Sequence, residues 1–111
     1  NAPRTDTLGI FIGNSTGRNV PSATYLENYV AIGNAVKIDK SNQVKIGNAF
    51  VTETVLQGTV KMETTAGALL PPKLTTTQKG AIPSVEDGMI VFDTTLGKLQ
   101  VREAGAWVSL A

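Results

Sequence analysis

Residues 28–36 read Asn-Tyr-Val-Ala-Ile-Gly-Asn-Ala-Val, and residues 42–50 repeat the pattern as Asn-Gln-Val-Lys-Ile-Gly-Asn-Ala-Phe. Six of the nine positions are identical at a spacing of fourteen residues. A looser copy, Ile-Phe-Ile-Gly-Asn, occupies residues 10–14. Recurrence at a fixed period indicates stacked structural units, none of which can bury its apolar side alone.

Each copy has the pattern of a short strand followed by a tight turn. Val and Ile alternate with Tyr, Ala, Gln or Lys, which is typical of a strand with one buried face. Gly-Asn follows, and both residue types tolerate the positive φ of a turn. Fourteen residues per lap are too few for a crossover helix, so the pattern predicts a β-roll or β-prism coil. The positions between the Val and Ile residues are predicted to point outward: Ala31, Gln43 and Lys45.

Composition limits the size and kind of protein. With 111 residues, of which 41% are hydrophobic but only 5% aromatic, the chain has material for one domain with a thin core. Free strand edges in such a chain favour closure or oligomerisation. A net charge of +1 does not indicate nucleic-acid binding, and no apolar run is long enough for membrane insertion. Without Cys there is no disulfide scaffold, and the compartment stays undecided; the missing Met at the start suggests a fragment.

The chain divides by composition into three parts. Residues 1–63 are predicted to form a repetitive β shaft, with a leading segment at 1–7, a surface loop at 15–22 and a hairpin at 51–63 that continues the stack. Residues 64–74 contain Gly67 and Pro71-Pro72, which interrupt strand pairing and indicate a linker. Residues 75–111 are predicted to form a short helix and a three-stranded tip.

Local signals define the elements of this tip. Thr75 and Gln78 have the spacing of a capping box, and Pro83 limits the helix to about two turns. Three short apolar runs separated by Gly-containing turns predict a β-meander. One face of this meander is predicted to be apolar: Ile90, Phe92, Leu99, Val101, Val108 and Leu110. Fewer than forty residues of this kind need partners in order to fold.

Candidate chemistry is sparse. The chain has no His and no Cys, so the commonest general base and thiolate nucleophile are missing. The acids near the tip, Glu86, Asp87 and Asp93, are interpreted as turn residues, although a pair of carboxylates could also serve a sugar-cleaving site. Trp107 is predicted to be a core or inter-subunit residue. We therefore expect no catalytic, cofactor-binding or metal site, and no enzymatic activity.

The tip sequence resembles a module that recurs in phage tail fibres. The resemblance rests on Leu-Pro-Pro-Lys-Leu-Thr-Thr-Thr-Gln-Lys-Gly-Ala-Ile at 70–82, on 87–95 and 97–99, and on Gly-Ala-Trp-Val at 105–108. The fourteen-residue laps are similar to the β-roll heads of trimeric autotransporter adhesins and to the β-stacks of chaperone-bearing phage fibres. The chain lacks the Ser-Asp-x-Arg-x-Lys cleavage segment of the latter and the coiled-coil heptads of the former.

The resemblance implies an all-β, intertwined homotrimeric β-prism or β-roll shaft with a small distal β-meander tip and one short helix. Three parallel chains would share one axis, with a trimer core composed of Val30, Ile32, Val44, Ile46 and Trp107. It also implies a structural, receptor-binding protein of a virion tail fibre or extracellular appendage, which binds a host glycan or envelope protein. The alternatives are an adhesin head that binds host matrix, a polysaccharide depolymerase fragment and a pure connector.

Receptor contact is predicted at turns, because turns at a free end can vary without disturbing a stacked core. The predicted turns are 86–88, 94–97 and 103–106. The predicted contact residues are Thr94, Thr95, Leu96, Lys98 and Arg102. The alternative is a sideways contact by the loop that carries Arg18 and Tyr25.

Overall fold

The computed structural model describes residues 9–21 and 23–110. The predicted leading segment at 1–7, Leu8 of the first lap and Ser22 of the predicted surface loop lie outside the described residues. The chain divides into two compact units, Asn1–Val60 and Lys61–Ala111, and each is described by itself. Within the described ranges, no helix is long and apolar enough to span a membrane.

The first unit consists of short parallel strands. Their bounds are β1 Gly9–Ile12, β2 Gly17–Arg18, β3 Tyr29–Ile32, β4 Lys37–Ile38 and β5 Gln43–Ile46. One sheet has the order β1-β3-β5 and the other pairs β2 with β4, all in parallel. The sequence repeats pair with themselves, since Val30 lies opposite Val44 and Ile32 opposite Ile46. The predicted strands of the laps are therefore confirmed.

Backbone turns and Asn side chains connect one lap to the next. Gly13, Gly33 and Gly47 all have positive φ, of 131°, 135° and 87°. A Cβ at Gly13 would overlap the carbonyl oxygen of Gly33, so this close approach between laps requires glycine. The Asn28 amide donates to Asn42 Oδ1 over 2.8 Å, and the Asn48 amide donates to the Asn34 carbonyl over 2.7 Å. The recurrence of Asn in the sequence thus reflects hydrogen bonds between equivalent positions.

The core of the first unit lies on one face of β3. Its members are fully or almost fully buried: Leu26, Tyr29, Ala31, Val36 and Ile38. The prediction that Ala31 points outward is therefore wrong. Ala31 has no exposed surface, because residues from the second half of the lap pack on this face of the strand. Gln43 and Lys45, at the equivalent positions of β5, are half-buried.

The hairpin predicted at residues 51–63 is also wrong. No helix or strand lies between Ile46, where β5 ends, and Lys73. All ten side chains from residue 51 to residue 60 are exposed. The apolar pattern that suggested a hairpin therefore has no partner strand within the described part of the chain.

The second unit is a helix packed on a small sheet. Its elements are β6 Lys73–Leu74, α1 Thr76–Gly80, β7 Ile90–Asp93, β8 Lys98–Glu103 and β9 Ala106–Ser109. The antiparallel meander β7-β8-β9 confirms the predicted strands, while β6 adds an unpredicted parallel strand beside β7. Thr75 caps α1 with both halves of the predicted capping box. Both units are mostly strand, and α1 is the single short helix among the described residues.

Candidate self-association surfaces

The first unit presents two apolar rows on the face of its sheet opposite the core. The in-register strands place Ile10, Val30 and Val44 in one row and Ile12, Ile32 and Ile46 in the next. We call these six residues the apolar ladder. In β1 and β5 the ladder side chains are 51–66% exposed, and in β3 they are half-buried.

This arrangement explains why residues at both alternating positions of β3 are apolar. Tyr29 and Ala31 point to the chain's own core, whereas Val30 and Ile32 between them point away from it. A contiguous apolar face that is not covered by its own chain marks an interaction surface. The four lap residues predicted for the trimer core all belong to the apolar ladder; their burial between chains stays a prediction. Ile10 and Ile12 were missed, although the looser sequence copy at residues 10–14 carried the signal.

The second unit has a comparable surface. The register β7-β8-β9 aligns Ile90 with Val101 and Val108, and Phe92 with Leu99. Ile90, Leu99 and Val108 are 45%, 37% and 38% exposed. Together with Leu110, whose amide donates to the Leu99 carbonyl, these residues form what we call the tip apolar face. The shared face predicted for these six residues is thus confirmed.

The opposite face of this sheet carries a buried polar cluster under α1. Lys79 Nζ lies 2.8 Å from Asp93 Oδ2 and also donates to Gln100 Oε1. Thr76 Oγ1 donates to Asp93 Oδ2 over 2.8 Å, and Gln100 Nε2 donates to Ser109 Oγ over 3.1 Å. We call these five residues the Lys79 cluster. These polar groups bind one another and thereby link α1 to the sheet.

The electrostatics of the cluster favour an ionised carboxylate. The hydrogen bond from Lys79 lowers the pKa of the Asp93 carboxyl from 3.8 to about 2. Hydrogen bonds from the Leu96 amide and the Thr76 hydroxyl act in the same direction, while burial opposes them. Asp93 is therefore a structural anion bound to its neighbours. Sequence reasoning interpreted it as a turn residue and did not connect it with Lys79.

Trp107 lies on the same face as the Lys79 cluster. It pairs across the sheet with Arg102, and its ring centroid is 5.7 Å from the Arg102 guanidinium carbon and 5.6 Å from Lys79 Nζ. These are cation–π distances. The strand alternation places Trp107 on the face opposite the tip apolar face. Its assignment to the trimer core stays a prediction.

The predicted receptor residues do not converge on one patch. Thr94, Thr95 and Leu96 form the turn after β7, and Lys98 begins β8 beside it. Within this turn, Thr95 Oγ1 accepts from the Thr76 amide, and Leu96 is 53% exposed. Arg102 lies near the other end of β8.

The other two predicted turns meet at that second end of the sheet. The Gly105 amide donates to Asp87 Oδ1 over 3.0 Å, and the Gly88 amide donates to the Arg102 carbonyl. Arg102 Nε also lies 3.9 Å from Asp87 Oδ1. The sheet thus separates the 94–97 turn from the turns at 86–88 and 103–106.

The alternative loop in the first unit is held by its own contacts. The Arg18 guanidinium donates to the Pro21 carbonyl over 3.2 Å and to the Thr24 carbonyl. Tyr25 is 49% exposed, and its hydroxyl donates to Glu27 over 2.9 Å, which raises the pKa of the phenol. Across the described residues, no group of three or more acidic, His or Cys side chains could hold a metal ion.

Comparison with known families gives one match. The family described as the phage tail-like trimerisation region matches residues 51–111, which is 61 of the 111 residues. The match includes the whole second unit and the exposed apolar segment that precedes it. No curated protein and no solved structure matches the chain.

Proposed function

This chain belongs to the phage tail-like trimerisation family, and on that premise we propose that its homotrimer is a β-prism or β-roll shaft that carries a host-attachment surface. The family makes the chain a structural segment of a phage tail fibre, a component of the virion tail that associates with two copies of itself. The observation that carries the proposed architecture is the apolar ladder, an in-register apolar face outside the chain's own core.

Burial of the ladder supports a shaft in which the three ladders face each other. Ile12, Val44 and Ile46 are each more than half exposed in one chain. Because part of each side chain is already covered, its full burial would gain about 1–2 kcal/mol, and a threefold arrangement would bury all three copies at once. Burial of the tip apolar face between chains would stabilise the second unit in the same way. Only six apolar residues are buried among those described, so association would add substantially to a small core.

For attachment, we propose that exposed turns of the second unit contact a host glycan or envelope protein. The support is positional: turn residues can vary without disturbing a sheet. The 94–97 turn with Lys98 offers an exposed Leu and a cation, and the 86–88 and 103–106 turns offer Glu86 and Glu103 at the other end of the sheet. The two ends are separate candidates and can be tested separately.

We also propose that the segment has no enzymatic role. The chain has no His and no Cys, and Asp93 is held by Lys79. A glycosidase needs two available carboxyl groups. Of the three acids near the turns, Asp93 is committed to the Lys79 cluster, and Asp87 accepts from the Gly105 amide beside Arg102, which leaves Glu86. Release of oligosaccharides from capsule or lipopolysaccharide by the purified trimer would contradict this part of the proposal.

The experiment is a binding screen of the trimer against whole cells and a glycan array. The variant pair Leu96→Ala with Lys98→Ala removes the first end, and Glu86→Ala with Glu103→Ala is the matched change at the second end. All trimers are checked by light scattering before binding is measured. We expect binding to be lost with one pair and retained with the other. Retention of binding in both variants would move the contact elsewhere, and absence of binding by the parent trimer would leave a purely structural segment.

A further inference from the structure

Residues 51–60 have the composition of a strand but no strand partner in their own chain. Six of the ten residues are Val or Thr, which favour strands, whereas flexible linkers are rich in Gly and Ser. From residue 52 to residue 71, no backbone group donates to or accepts from another backbone group among the described residues. Val55, Leu56 and Val60 are 60–66% exposed.

Gly58 lets most of the apolar side chains of this segment share one face. Val51 and Val55 have odd numbers, whereas Val60 and Met62 have even numbers, so uninterrupted alternation would divide them between two faces. Gly58 has a φ of 93°, and the segment bends only there. Glycine with positive φ is typical of a β-bulge, which adds one residue and shifts the alternation by one. With a bulge at Gly58, these four apolar side chains share one face, while Leu56 and Thr59 lie on the other.

We infer that residues 51–60 form a strand that pairs with neighbouring chains in the trimer. The inference rests on the proposed function. The partner of this unpaired backbone is a second copy of this chain, because the matched trimerisation region begins at residue 51 and therefore includes this segment. A β-rich segment with unpaired backbone groups is a template for another chain.

Two measurements test the inference on the full chain. Because the sequence has no Cys, single Cys substitutions report on contacts between chains without background. In a parallel trimer, Val60→Cys places its thiols on the apolar face toward the threefold axis, whereas Thr59→Cys places them on the outer face. Both positions are exposed in the single chain, so only assembly distinguishes them. The second measurement is hydrogen exchange of the backbone amides from residue 52 to residue 60.

We expect Val60→Cys trimers to form disulfide-linked dimers on oxidation, containing at most about two thirds of the chains because only two of three thiols can pair. Thr59→Cys trimers should remain unlinked, and the amides should exchange at least tenfold more slowly than those at 64–69. Equal cross-linking of the two variants, or unprotected amides in an intact trimer, would overturn this inference alone. A parent chain that is not trimeric in light scattering would overturn the proposed function as well.

Discussion

Lys79 Nζ lies 2.8 Å from Asp93 Oδ2, with the Lys side chain 8% exposed and the Asp side chain fully buried. This ion pair and the buried Val91 lie on one face of the second unit's sheet, while most of the apolar strand side chains lie on the other. The usual arrangement is inverted, because the chain's own helix covers polar groups and the apolar face is left half-exposed. The inversion is understandable if a second copy of the chain completes the apolar core.

The ion pair predicts how stability depends on pH. The folded-state pKa of Asp93 is about 2, below its ordinary value of 3.8. As the pH falls through 3.8, the unfolded chain takes up a proton that the folded chain does not bind, so the stabilisation decreases and is lost near pH 2. Trp107 is the single Trp of the sequence, so its fluorescence reports the unfolding of this unit. We expect the urea midpoint to fall between about pH 4 and pH 2.

The matched variant is Asp93→Asn, which should unfold at lower urea concentration at neutral pH and lose most of this pH dependence. Other carboxyl groups titrate in the same range, so the difference between parent and variant is the quantity to measure. A parent and variant with the same pH slope would show that Asp93 is not the group responsible.

The capping box should have a local and measurable effect. The Gln78 amide donates to Thr75 Oγ1 over 3.1 Å, and the Thr75 amide donates to Gln78 Oε1 over 2.9 Å. We expect Thr75→Ala to reduce the free energy of unfolding by about 1 kcal/mol, measured with Trp107 fluorescence in urea. Thr77→Ala, inside the same helix, is the control and should cost less, since Ala has the higher helix propensity. Equal effects of the two changes would argue against the cap.

Much of the fold could be predicted because its signals are local. Identity at a spacing of fourteen residues fixes which strands pair and in which register, and the Thr75–Gln78 spacing fixes the start of the helix. Alternation predicted two faces for each strand, but it does not say which face the chain covers itself. Because of this ambiguity, Ala31 was predicted to point outward, although it belongs to the chain's own core.

The missed features depend on contacts distant in sequence. The two-residue strand β6 pairs with β7 nearly twenty positions later, and nothing in a two-residue run indicates a strand. Lys79 meets Asp93 only because α1 folds over β7. The prediction of a hairpin at 51–63 was wrong for a related reason, since a strand pattern does not specify whether its partner strand lies in the same chain.

Glycine at the lap turns should be required by contact between laps as well as by φ. A Cβ at Gly13 would overlap the Gly33 carbonyl, whereas a Cβ at Gly97 meets nothing within 4 Å. Gly97 has a φ of 67°, in the left-handed region that other residues reach at a cost of about 1–2 kcal/mol, whereas the φ of 131° at Gly13 lies outside that region and adds to the effect of the lap contact. We expect Gly13→Ala to lower the thermal midpoint of the laps, followed by circular dichroism, by more than Gly97→Ala lowers that of the second unit. A smaller effect at Gly13 would contradict the lap contact.

The apolar ladder should be essential for assembly and dispensable for the single chain. Ile46 is 66% exposed in one chain, so Ile46→Asp should leave the protomer folded. In the trimer the same change would bury three unpaired charges, which cost several kcal/mol each. Sedimentation should therefore show loss of the trimer at concentrations where the parent is fully assembled.

Lys45→Asp is the control for that experiment, because Lys45 lies on the opposite face and donates to the Lys37 carbonyl over 2.6 Å. Loss of this hydrogen bond should weaken the lap by about 1 kcal/mol and leave the trimer assembled. If Lys45→Asp disrupts assembly as strongly as Ile46→Asp, the ladder is not the surface that the chains share.

The most direct test is the mass of the parent chain in solution by light scattering. One chain has a mass of 11.7 kDa, so three copies give about 35 kDa. We expect that mass across dilution, with Ile46→Asp falling to the mass of a single chain. A well-folded parent protein of 11.7 kDa, or a dimer of about 23 kDa, would contradict the central claim.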